Sequence, residues 1–386
     1  MNENIPPMSK FYFTKKERDW ILNNFLQHLT KEADMHSGYP YNFSYDLEPL
    51  KPFLDYTINN LGDPFVSGLY GLHAKKFEMQ AIHWFSQLYD LQHSWGYVTS
   101  GGTEGNIYGL FLGRELYPDA VLYYSKDSHY SLPKTARLAR IPEVVINSQP
   151  NGEIDYEHLE QELSSRKHLS AIVNVNLGTT LKGAVDNHVQ VIDILDKLKM
   201  RFHIHCDGAL GGMLLPFIDN APKISFKDYP IGSIAVSGHK FIGAPVPCGI
   251  VLGRREDVKK IEINIDYIGS LDTTILGSRT GLGAISLWYG IASRGEQFAE
   301  EVSGCLQNAK YLYDGLRKIG IIAMLNDFSN TVVFENPGID LCHKWHLANS
   351  GNWAHIVVMQ NLSSSHLDTF IEDMKIWQKT SKHNAG

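Results

Sequence analysis

The chain has 386 residues, 43% of them hydrophobic and 20% charged, with a formal net charge of −7. That is ample core material for a folded protein of more than one lobe, and it leaves no basic footprint for nucleic acid. No apolar run is long enough to span a bilayer, "MNENIPPMSKFYFTKKERDW" lacks a signal-peptide profile, and Cys206, Cys248, Cys305 and Cys342 show no metal spacing, so a cytoplasmic protein with reduced thiols and no membrane partner is expected.

In chain order, "TKKERDWILNNFLQHLTKEA" reads as an amphipathic helix with Trp20, Ile21, Phe25 and Leu29 on roughly one face. Gly38 and Pro40 break it, and "NNLGDPF" (59–65) closes a second helical segment. From about residue 76 the rhythm changes. Helical "KKFEMQAIHWFSQLYDL" leads through a short strand-like stretch to "TSGGTEGN" and another helix. Strand-like "AVLYYS", "PEVVINSQ", "LSAIVNVNLG" and "FHIHCD" then alternate with helical segments, and "IGSIAVSGHK" and "CGIVLGRR" add two more strands. Such alternation predicts βαβ units and a mainly parallel sheet with helices on both faces. After Gly290 a long helix (294–320) precedes "IIAML", "NTVVFEN", "WAHIVVMQ" and a terminal helix near 365–378, which predicts a smaller α+β lobe. Boundaries at 1–70, 71–290 and 291–386 follow.

A parallel α/β sheet binds ligands outside the carboxyl ends of its strands. Four features fall at such ends. "TSGGTEGN" (99–106) opens a helix, where Gly101 and Gly102 permit close backbone approach, free N–H groups suit a phosphate, and Thr103 adds a hydroxyl. It also reads as a plain structural turn, and it is not a Walker loop, because no Lys-Ser/Thr pair follows. Asp207 in "HCDGA" either caps the next helix or pairs with a heteroaromatic nitrogen, with Ala209 small enough to lie under a ring. Lys240 in "SGHKF", flanked by apolar runs and by Ser237 and His239, is placed for a lowered pKa and an amine free for Schiff-base chemistry, although most lysines are solvated surface groups. His129 in "KDSHYS" is either a satisfied buried histidine or a ring stacked on a planar cofactor. A phosphate cradle, an acid for a ring nitrogen, a stacking ring and an aldehyde-reactive amine together match pyridoxal 5′-phosphate (PLP).

These motifs, with "NVNLGTTLKGAVDN" and "SGHKFIGAPVPCGIV", resemble the group II PLP-dependent amino-acid decarboxylases, closest to bacterial histidine decarboxylases and the plant serine decarboxylases related to them. The resemblance runs from about residue 35 to the end. It implies a fold-type I (aspartate aminotransferase-like) α/β enzyme and a homodimer with its active site at the subunit interface, residues 1–70 packing on the dimer. By matching position, Lys240 is the Schiff-base lysine, Asp207 the pyridinium partner and His129 the stacking ring that also touches substrate. Gly102, Thr103, Ser237 and His239 then lie around the phosphate, and Thr179 near the phenolic oxygen. The segment "LDTTILGSRTG" makes Thr274 and Ser278 candidates for completing the neighbouring subunit's site. Tyr267 is a candidate proton donor to the substrate carbon and Ser329 a candidate substrate contact, each with packing as the competing role.

Decarboxylation requires the substrate carboxylate to stand out of the ring plane without a firm arginine clamp. From Gly295 to the end the only arginine is Arg317, on an amphipathic helix, which favours decarboxylation over transamination. Histidine ranks first as substrate, serine second and another small or aromatic amino acid third. Leu282 stands where both relatives are expected to have a histidine. A phosphosugar- or nucleotide-binding α/β protein would leave Asp207 and Lys240 without purpose, and a catalytically silent PLP-binding protein would keep the cofactor residues alone.

Overall fold

The structure, a computed structural model, describes residues 12–383. Helix α1 (Lys15–Asp34) starts on a capping box in which the Thr14 hydroxyl accepts from the Glu17 N–H and the Glu17 carboxylate accepts from the Thr14 N–H. The expected second helical segment is a 3₁₀ helix, Glu48–Asp55, in which Pro52 removes an amide donor that a continuous α-helix needs, whereas Pro49 sits in the first turn where none is needed. Helix α2 (Lys75–Leu88) follows.

Strands β1 (Ser94–Thr99), β2 (Val121–Ser125), β3 (Glu143–Ile146), β4 (Ala171–Asn176), β5 (Phe202–Asp207), β6 (Ile231–Ser237) and β7 (Gly249–Arg254) form one sheet in the order β1-β7-β6-β5-β4-β2-β3. All neighbours are parallel except β7, which runs antiparallel to β1 and β6. Helices α3 (Gly102–Leu116), α4 (Ser131–Ala139), α5 (Tyr156–Ser165) and α6 (His188–Lys197) lie between the first five strands in sequence. Strands β4 and β6 are buried at every position, as a sheet covered on both faces requires.

Helix α3 packs unusually close to β5 and β6 because Gly105, Gly109 and Gly113 recur every four residues on one helix face. A Cβ on Gly105 would stand 2.7 Å from Ala235 Cβ, and one on Gly109 would stand 2.1 Å from His205 Nδ1.

The short helix α7 (Arg255–Val258) leads to a hairpin of β8 (Ile263–Ile265) and β9 (Ser270–Asp272), and then to α8 (Gly281–Arg294). The expected continuous helix from 294 is interrupted: α8 ends at Arg294, a 3₁₀ turn occupies Gly295–Gln297, and α9 spans Phe298–Lys318. The second sheet contains β10 (Ala323–Leu325), β11 (Thr331–Glu335), β12 (Ala348–Ser350) and β13 (Trp353–Val357), all antiparallel in the order β10-β11-β13-β12. Helix α10 (Ile339–Lys344) joins β11 to β12, and α11 (Ser364–His383) ends the described chain. Leu312, Leu316, Phe334, Trp345, Ile356 and Phe370 build the separate core of this smaller lobe.

Helix α1 departs from expectation. Its half-buried positions are Glu17, Ile21, Asn24, His28, Glu32 and Ala33, mostly polar and, apart from the last pair, spaced three or four apart. Leu22, Phe25, Leu26 and Leu29 form the apolar stripe, and all four are exposed. Trp20 and Ile21 lie off that stripe, because 100° per residue puts Trp20 on the opposite side.

Candidate active site

A cavity of about 1010 Å³ opens at the carboxyl ends of β2, β4, β5 and β6. The chain delivers its chemistry there one strand at a time. His129 follows β2, Thr179 follows β4, Asp207 ends β5, and Ser237, His239 and Lys240 follow β6. Gly102, Thr103, Ala209 and Ser329 also face the cavity.

The start of α3 forms one wall. Gly101 adopts φ 146°, a conformation that favours glycine, and turns the chain from β1 into the helix. A Cβ on Gly102 would stand 2.7 Å from Ser237 Oγ, so only a bare backbone fits beside that hydroxyl. The first-turn N–H groups of α3 point outward without helical partners. Among the described residues, the hydroxyls of Thr103 and Ser237 have no protein hydrogen bond. His239 is fixed beside them, its Nδ1 lying 2.8 Å from the Cys248 carbonyl oxygen.

Lys240 is the only lysine lining the cavity, and no arginine lines it, among the described residues. Burial pushes the Lys240 amine below the ordinary lysine range, opposed by the Asp207 carboxylate. Its Nζ has no hydrogen bond or ion pair within the described chain, so a deprotonated nucleophilic amine is within reach.

Asp207 is buried, and its carboxylate is already partly satisfied: Oδ1 accepts from the Ala209 N–H at 3.2 Å and Oδ2 from Asn106 Nδ2 at 2.8 Å. His129 Nδ1 lies 2.9 Å from Ser131 Oγ and also accepts from the Ser131 N–H. Burial is the main reason its pKa falls, with Asp207 pulling the other way. Thr179 Oγ1 accepts from the Ala184 N–H, leaving its hydroxyl proton to donate.

Ser329 Oγ accepts from the Thr331 N–H, and a Cβ on Gly183 would stand 2.1 Å from it, so this part of the small lobe sits directly on the loop after Thr179. Three candidates lie elsewhere. Tyr267 is on the β8–β9 turn and 85% exposed, outside the cavity of its own chain. Thr274 bonds to Asp272 and to the Leu276 carbonyl, and the Ser278 hydroxyl accepts from Asn59. Neither lines this cavity, though their neighbours Ile275 and Leu276 do. Leu282 lies half-buried in the first turn of α8, off the cavity. Arg317 is exposed on α9.

Several lining residues carried no signal in the sequence. Tyr39, Tyr41 and Phe43 enter from the loop after α1, and His355 enters from β13. Asn106, the last residue of the glycine-rich motif, also lines the cavity, and nothing in the motif's spacing marks it.

Residues 112–335 match the pyridoxal-dependent decarboxylase conserved domain. The chain belongs to the pyridoxal-dependent decarboxylase family. Serine decarboxylase 2 of Oryza sativa subsp. japonica is 47% identical over 92% of this chain and 77% of its own length. The histidine decarboxylase of Solanum lycopersicum is 45% identical over 93% of this chain and 89% of its own length, and that of Vibrio campbellii 42% identical over 92% and 93%. In fold, the chain superposes on L-methionine decarboxylase from Streptomyces sp. 590 with a TM-score of 0.86 at 24% identity, covering 94% of this chain and 95% of that one. The fold-type I architecture expected from the sequence is therefore present, and the protein is a PLP-dependent amino-acid decarboxylase.

The decarboxylase's cavity fits its cofactor on the chemistry of its donors. Free N–H groups and unpartnered hydroxyls at a glycine cradle suit a phosphate. A buried carboxylate suits a protonated ring nitrogen, and an unpaired amine suits an aldehyde.

Proposed function

We propose that this decarboxylase acts on L-histidine, releasing histamine and CO2, and works as a homodimer of chains divided near residues 70 and 290. In this reading Lys240 holds the cofactor's aldehyde carbon, Asp207 holds the proton on its ring nitrogen, and His129 covers its face. The α3 start with Gly102, Thr103, Ser237 and His239 takes the phosphate, Thr179 takes the phenolic oxygen, and Ala209 leaves room beneath the ring. When bound, PLP would supply an electron sink for the pair left on the α-carbon by loss of CO2.

The protein residues set which bond breaks and where protons go. Among the described residues no arginine lines the cavity, so none of them would clamp the substrate carboxylate. Lys240, whose pKa burial lowers, would stand as a base beside the reacting carbon once its amine is free. Tyr267, with Thr274 and Ser278, serves the partner subunit's cavity, Tyr267 donating the proton that replaces CO2.

The observation that carries the histidine reading is the aromatic wall. Tyr39, Tyr41, Phe43 and Phe328 line the cavity together with the Ser329 hydroxyl. That lining suits a planar ring with one polar edge, whereas a hydroxymethyl group would leave most of the wall against water. Serine is the second reading, supported by rice serine decarboxylases at 45–48% identity. Dimerisation is supported by α1, whose Leu22, Phe25, Leu26 and Leu29 stripe faces outward from a single chain.

A panel of L-amino acids scored by product mass tests the substrate. Histamine as the main product supports the reading, whereas ethanolamine at higher kcat/KM would replace histidine with serine.

A further inference from the structure

Strand β5 carries His203, His205 and Asp207 at alternate positions, so all three face α3. Asp207 reaches the cavity, while both histidines are buried beneath the helix. Gly109 and Gly113 make their room: a Cβ on Gly113 would stand 2.9 Å from His203 Cδ2, and one on Gly109 would collide with His205.

These groups form one chain of hydrogen bonds. Asn106 Nδ2 lies 2.8 Å from Asp207 Oδ2 and 2.9 Å from Ser131 Oγ, and Asn106 Oδ1 lies 3.0 Å from His205 Nε2. His205 Nδ1 is 2.9 Å from Ser233 Oγ, on the cross-strand neighbour, and Ser233 Oγ is 2.9 Å from His203 Nε2. One assignment of protons satisfies every member. A carboxylate accepts only, so Asn106 presents its NH₂ to Asp207 and Ser131. Its oxygen then accepts from His205 Nε2–H, leaving His205 Nδ1 to accept from the Ser233 hydroxyl, which in turn accepts from His203 Nε2–H. On the other branch Ser131, having accepted from Asn106, donates to His129 Nδ1, which places the proton of neutral His129 on Nε2.

We infer that Asn106 is a positioning residue that couples the orientation of Asp207 to the tautomer of His129, its amide held in one direction by the His205–Ser233–His203 chain. This deepens the proposed function and rests on Asp207 and His129 facing the cofactor ring. Both buried histidines are kept neutral by burial, His205 at about 4 and His203 at about 3, so the proton order does not scramble at neutral pH.

The test measures PLP dissociation constants and the visible absorbance of the bound cofactor in full-length variants. Asn106→Ala and His205→Phe are expected to weaken PLP about tenfold or more and to shift the absorbance in the same direction as Asp207→Ala. His205→Gln, which keeps a donor near the Nε2 position, is expected to restore affinity to within about threefold, a rescue that a purely space-filling role would not give. Asn106→Ala with wild-type affinity and absorbance overturns the inference. If that variant fails to fold, equal behaviour of His205→Phe and His205→Gln overturns it instead. Asp207→Ala separates the two layers. If it leaves the absorbance unchanged, the ring-nitrogen assignment itself fails. If it shifts the absorbance while Asn106→Ala and His205→Phe do not, only the positioning role fails.

Discussion

His355 Nε2 lies 2.9 Å from the carbonyl oxygen of Gly38, which ties the small lobe to the loop carrying Tyr39 and Tyr41 into the cavity. The other ring nitrogen, Nδ1, lies 2.8 Å from the Leu181 carbonyl, two residues past Thr179. One buried imidazole therefore joins three segments around the substrate space. Burial lowers its pKa, and a neutral imidazole donates to only one of these carbonyls at a time; replacing it with leucine keeps the volume and removes that bond. His355→Leu is expected to raise KM about tenfold with a smaller change in PLP affinity, and steady-state kinetics beside a PLP titration check the split.

The glycine at the head of α3 is a second point of leverage. With Ser237 Oγ only 2.7 Å from a would-be Cβ, Gly102→Val fills the space assigned to the phosphate. PLP affinity should fall about tenfold to a hundredfold, and crowding against Ser237 should also lower the thermal midpoint without cofactor. Equilibrium dialysis against PLP measures the loss.

Acid stability follows from the same buried histidines. Burial holds His205 and His203 down to about 4 and about 3, whereas an unfolded chain takes up those protons near 6.5. Their contribution is intact above pH 6.5 and is lost as pH falls toward 4 and 3. Asp186 runs the other way: burial pushes it up to about 7, so its contribution is present at acid pH and lost as pH rises through 7. Two rings against one carboxylate predict a net fall in thermal midpoint between pH 6.5 and about pH 4, and His203→Gln should flatten the slope. Calorimetry across that range decides.

Much of this architecture is legible in the sequence because parallel strands covered on both faces are bounded apolar runs, and four of these, β2, β4, β5 and β6, end at the cavity. What escaped has physical causes. In α1 the expected face grouped Trp20 and Ile21 with Phe25 and Leu29, whereas the exposed apolar stripe is Leu22, Phe25, Leu26 and Leu29. The three-residue strands β8, β9 and β12 are too short for a period to show. Asn106, His205 and Ser233 meet only because three glycines let α3 settle onto the sheet, a contact no local pattern encodes.

The outward stripe gives its own prediction. Phe25→Glu with Leu26→Glu places two charges in the apolar patch and should convert a dimer to monomer, with activity falling alongside. Sedimentation velocity reports the assembly, and an unchanged mass with full activity would remove α1 from the interface.

Lys240 is the residue on which the proposed chemistry most depends. Borohydride reduction of the PLP-loaded protein, followed by proteolysis and mass spectrometry, should place a single reduced pyridoxyl phosphate adduct on the peptide containing Lys240 and none on Lys240→Ala. An adduct on another lysine, with Lys240 unmodified in active enzyme, would contradict it.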